Sequence, residues 1–71
     1  MPRFRIKEEV HHMGYRVNGV ISSINEVTDI NSVWTCYDIM VPTDDNRLIE
    51  LQLVAEEWLE KGFKFNTKPI E

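Results

Sequence analysis

Apolar residues alternate with polar ones at several places along the chain, and the period changes only once. Phe4-Arg5-Ile6-Lys7 alternates apolar with basic, as does Gly62-Phe63-Lys64-Phe65 near the other end, which predicts a half-buried strand at each terminus. On that pattern Phe4, Ile6, Phe63 and Phe65 face a core, while Arg3, Arg5, Lys7 and Lys64 form a basic stripe outside. Val33 to Pro42 is the strongest strand, rich in β-branched and aromatic residues and stopped by a proline that cannot donate to a ladder. One of its faces is Val33, Thr35, Tyr37, Ile39 and Val41, and the other Trp34, Cys36, Asp38 and Met40. Thr43-Asp44-Asp45-Asn46 supplies turn residues, and Ile49, Leu51 and Leu53 then alternate against Glu50 and Gln52, so the two strands form a hairpin.

From Val54 the period lengthens. Val54 with Trp58, and Ala55 with Leu59, lie four apart around Glu56, Glu57 and Glu60, which predicts two helical turns stopped by Gly62. Between Val10 and Val27 two arrangements fit. Asn18-Gly19 is either the turn of a hairpin, or Gly19 is a bulge or close-approach glycine inside one strand running through Ile24. Thr28 to Ser32 is a loop in both. The elements add up to an all-β domain with one short helical turn, a small five-stranded barrel or antiparallel meander spanning residues 1–71.

A chain of 71 residues buries only ~60% of its unfolded surface, so stability is thin. The single cysteine, Cys36, cannot make an internal disulfide, and no Cys pair is spaced for zinc. The absence of a long apolar run excludes a membrane span and a signal-peptide core, so the expected compartment is the reducing cytoplasm. Net charge is −4 and unevenly placed. Met1 to Arg16 carries +2, Val17 to Glu60 carries −8 with Arg47 as its one base, and Lys61 to Glu71 carries +2. Such opposed zones favour a protein partner and permit head-to-tail contact between copies, while the acidic middle repels nucleic acid over much of the surface.

The residues from Phe4-Arg5-Ile6-Lys7-Glu8-Glu9-Val10 through Gly14 to Gly19-Val20-Ile21-Ser22-Ser23-Ile24 are similar to a pattern of valine strand, glycine turn and G-x-V-x-x-I. Together with the Trp34–Val41 and Leu48–Leu53 hairpin and a closing Glu57-Trp58-Leu59 turn, the chain resembles the small Src-homology-3-like barrels of the KOW and Tudor-like groups. Glu8-Glu9 stands where those domains usually have Gly-Asp, and Arg16 is the one base between Tyr15 and Ile24, where KOW domains present basic residues to RNA. The resemblance implies a barrel that acts as a binding module or subunit and not as an enzyme.

The candidate chemistry is correspondingly sparse. His11 and His12 are neighbours on a strand and point to opposite faces, so they cannot share a metal ion and are expected to be partly exposed. Cys36 sits mid-strand with no base nearby in sequence to activate it, and Asp44-Asp45-Asn46 lacks the glycine and terminal glutamate of a calcium loop. No catalytic set converges, and no cofactor is implied. Trp34, Tyr37 and Asp38, with Tyr15, are the candidate partner-binding residues, as an aromatic surface or a cage for an ammonium group. Trp34 and Tyr37 have opposite parity, so a cage needs a bulge. The alternative is a nucleic-acid-associated domain that contacts phosphates through Arg3, Arg5, Lys7 and Lys64.

Overall fold

A computed structural model describes residues 2–64. Five strands, β1 (Glu9–His12), β2 (Val17–Thr28), β3 (Val33–Pro42), β4 (Leu48–Ala55) and β5 (Leu59–Lys61), form one sheet in the order β4-β3-β2-β1-β5, and a 3₁₀ turn, η1 (Glu56–Trp58), precedes β5. Each described pairing is antiparallel. The expected all-β class with one short helical turn is therefore present: β1 to β4 follow one another as a meander, β5 returns to pair with β1, and β4 and β5 are the two edges of an open sheet that is not closed into a barrel.

The sheet bends at one residue. On β2, Ile21 pairs with Ile39 and Ser23 with Asp38, leaving Ser22 as an extra residue. On β4, Leu51 pairs with Ile39 and Val54 with Tyr37, so Gln52 and Leu53 together stand against Asp38. Two bulges thus flank one position of β3, where each adds bend and twist. Leu53 takes φ 53°, which throws its side chain outward and hands the core position to Val54. The Asp38 carboxylate ties the defect together, accepting from the Leu53 amide (2.9 Å), the Ser23 hydroxyl (2.9 Å) and the Asn25 amide group (3.2 Å). Those donors, the Leu53 amide first, hold its carboxyl below the usual aspartate range.

Inside the curve lie Phe4, Val10, Ile21, Tyr37, Ile39, Val41, Val54 and Leu59. Gly19 resolves the two arrangements of the N-terminal half in favour of the close-approach glycine. It pairs with Val10 inside β2, and a Cβ there would stand 2.8 Å from the Met40 carbonyl oxygen. The turn is instead Met13 to Arg16.

Both terminal strands are corrected. Residues 3–7 form bends and a turn, because Lys7 takes φ 71° and the Glu8 amide donates back to the Arg5 carbonyl. Phe4 still reaches the core, edge-on to Tyr37 at 5.3 Å, but Ile6 is exposed. At the other end the strand lies earlier, at Leu59–Lys61, and stops at Gly62 with φ 82°. Phe63 is exposed, and Phe65 falls outside the described residues. The predicted two helical turns shrink to the three residues of η1, since Leu59 is drawn into a strand that pairs with His12.

Candidate docking groove

The β1–β2 turn is built on a histidine. His12 ends β1, and its Nδ1 accepts from the backbone amides of Gly14 (3.1 Å) and Tyr15 (3.0 Å), while its carbonyl accepts from the Arg16 amide (2.8 Å). An acceptor side chain taking the amides two and three residues on is the arrangement an Asx turn makes with an oxygen. Both histidines are buried, which corrects the expectation of partial exposure. His11 Nδ1 lies 2.9 Å from Asn18 Oδ1 on β2. Asn18 in turn exchanges bonds with the backbone of Lys64, latching the segment after β5 onto the sheet.

The His12 ring stacks on two others. Its centroid is 4.8 Å from that of Tyr15 and 6.0 Å from that of Trp58, with interplanar angles of 29° and 11°. The Met13 amide donates to the Trp58 carbonyl (2.8 Å), which fixes η1 against the turn. Gly14 leaves room for the stack, since a Cβ there would lie 2.9 Å from His12 Cε1 and 3.1 Å from Trp58 Cε3. Burial lowers the His12 pKa below 6.5, and the neighbouring His11 pushes it the same way.

His12 is hidden, but Tyr15 and Trp58 are 55% and 50% exposed. They form one wall of an open groove whose other wall is β4 from Glu50 to Ala55. Leu53, turned out by its bulge and 60% exposed, lies on that wall. Glu50 supplies the charge; it accepts from the Gln52 and Ser22 side chains and has no cationic partner among the described residues. Among the described residues, the one base of the acidic middle, Arg47, pairs with Asp45 at 3.3 Å in the β3–β4 turn.

The residues predicted for binding are not brought together. Tyr37 is fully buried, its hydroxyl donating to Glu56 and accepting from the Phe4 amide at 3.3 Å. Burial raises its pKa, and the same hydroxyl holds that of Glu56 down. Asp38 is occupied in the bulge, and Trp34 is exposed in a separate groove with Val33, Ala55, Glu56 and Glu57. The cage of Trp34, Tyr37 and Asp38 is therefore absent, although the bulge it required exists. Of the four residues only Tyr15 lines the Trp58 groove.

The basic residues also lack their predicted frame. No strand underlies Arg3, Arg5 and Lys7, and the Phe4 ring that would stack on a base is buried beneath the Arg3 guanidinium at 5.1 Å. Lys64 pairs with Glu60 at 3.5 Å. No family model, curated protein or solved structure matches this chain. The groove's chemistry therefore has to speak for itself.

Proposed function

We propose that this chain is a non-enzymatic interaction module of the small Src-homology-3-like kind, which docks on a cytoplasmic protein partner through the Tyr15–Trp58 groove. The observation that carries the reading is the pair of exposed rings held in stacked register by a buried His12 beside the exposed Leu53. Exposed aromatics with fixed geometry are what interface hot spots are made of, because they bury large area at small entropic cost. The partner segment is cationic: Glu50 pairs with no cation among the described residues, the surrounding stretch is strongly acidic, and ring faces attract ammonium and guanidinium groups. No observation favours the nucleic-acid alternative over this one, since the Phe4 ring is covered and Lys64 is paired within the chain.

The test is affinity capture from nuclease-treated cytosol with the natural chain, Trp58→Ala and Glu50→Lys in parallel. A protein held by the natural chain and lost from both variants supports the groove. Proteins held equally by all three, or capture that disappears with nuclease, overturn it.

A further inference from the structure

The His12 imidazole joins the backbone to the groove, and its position makes the groove sensitive to protons. Two amides, from Gly14 and Tyr15, converge on Nδ1, so that nitrogen must present a lone pair and the ring proton must sit on Nε2. Among the described residues Nε2 has no hydrogen-bond partner and no fully buried side-chain nitrogen or oxygen lacks one, so Nε2 is not sealed from the surface. A second proton has one place to go, Nδ1. Adding it replaces an acceptor with a donor that faces two donors, and both turn bonds are lost together. Of the bonds that close the turn, only that from the Arg16 amide to the His12 carbonyl is left.

We propose that the groove is proton-gated: protonation of His12 opens the Met13–Arg16 turn, withdraws Tyr15 from the groove wall, and places a positive charge between the rings that receive the cationic segment. The last clause rests on the docking reading above, while the opening of the turn does not. The charges around the ring do not cancel this effect. On its own strand His11 is turned to Asn18; on the turn are the Tyr15 hydroxyl and Arg16; β4 brings Glu50 to the groove, and η1 carries Glu57 beside Trp58. The cross-strand neighbours, Val17 on β2 and Leu59 on β5, are apolar. No carboxylate accepts a hydrogen bond from His12 among the described residues, so Glu50 and the ring faces act on the imidazolium only through space and restore neither lost turn bond. Opposite conditions hold in a turn closed by an Asn or Asp oxygen, which keeps its acceptor at any pH in this range.

The experiment is an NMR titration of the intact chain from pH 8 to pH 4.5, alongside binding of a hepta-arginine peptide. Imidazole ¹⁵N shifts at pH 8 should report the Nε2–H form. The Gly14 and Tyr15 amide resonances should then move with the same midpoint as the His12 ring, below the ordinary histidine value, while core amides stay in place. The peptide should bind at least fivefold more weakly at pH 5 than at pH 7.5. In His12→Asn, whose side-chain oxygen takes the same amides, both pH dependences should vanish. An Nδ1–H ring at pH 8, or turn amides that stay fixed while His12 titrates, overturns the gate, and these two readings need no variant. Absence of peptide binding at every pH with the amides still moving overturns the cationic docking reading and leaves the opening of the turn intact.

Discussion

Around Asp38 and around Trp58 the chain arranges polar and aromatic groups in contrary ways. Asp38 sits on β3 with its carboxylate taken up by three donors from β2 and β4, and Tyr37 beside it hides its ring and spends its hydroxyl on Glu56 and the Phe4 amide. At the groove, Glu50 has no cation among the described residues, and Tyr15 and Trp58 show about half of their surface. In the first region the Asp38 carboxylate and the Tyr37 hydroxyl are both taken up inside the fold. The second holds its rings in place through a third residue and leaves their faces open. Which residue types are present does not separate the two, since each region has a carboxylate and aromatics; what separates them is whether the hydrogen-bonding capacity is already filled. Substitutions in the first region should move stability, and those in the second should move binding.

The largest effect is expected from Gly19→Ala, which tests the bent region where it has least slack. The new methyl meets a backbone oxygen, so nothing can rotate away, and a loss of about 2 kcal/mol with a melting temperature lower by roughly 10 °C should appear in thermal denaturation. Asp38→Ala removes the acceptor of three donors and should cost about 2 kcal/mol in a urea titration, with amide shifts concentrated at Ser23, Asn25 and Leu53. Tyr37→Phe is smaller, on the order of 1 kcal/mol, because it strands the Phe4 amide while keeping the ring packed.

Acid should act on the same groups. Asp38 and Glu56 both have pKa values lowered by folding, so their contribution is complete above the ordinary carboxylate range and is lost as pH falls through their folded values. Combining Asp38→Asn with Tyr37→Phe should flatten that acid limb of the stability curve. His12 is likewise lowered, so its contribution is present above pH 6.5 and lost on acidification through its folded value, which makes the turn the first part to respond. The smallest change in stability, about 0.5 kcal/mol, is expected for Tyr15→Ala, measured with partner capture on the same sample. A large stability loss there with unchanged capture would erase the distinction between the regions.

Much of the frame follows from pattern alone. The alternation from Val33 to Val41 places Tyr37, Ile39 and Val41 in the core, and the turn residues Thr43 to Asn46 join the two strands they were expected to join. What pattern could not show is where the period slips. The alternation Ile49, Leu51, Leu53 reads as one continuous inward face, yet Ile49 is exposed, and past Leu51 the bulge turns Leu53 out so that Val54 takes the core position. The N-terminal alternation failed for a related reason, since a left-handed Lys7 turns the chain back before a strand can form. The groove was illegible because its members lie far apart in sequence, with His12 and Tyr15 joined to Trp58 by the pairing of β1 with β5 and by the bond from the Met13 amide to the Trp58 carbonyl. One signal was available: Gly14 two residues after His12 marks a place where neighbouring groups must come close.

The β2–β3 hairpin has a practical consequence. The chain is 41 Å in its longest extent but only 21 Å and 19 Å in the others, and β2 and β3 stay paired out to Thr28 and Val33, past the last core residue on either strand. Their connection, Asp29 to Ser32, is closed by backbone bonds between its own two ends and lies outside the hydrophobic core. A fluorophore, an affinity tag or a grafted loop inserted between Ile30 and Asn31 would be carried on a handle away from both the Asp38 bend and the Trp58 groove, making the tip the natural attachment point for reporting on either.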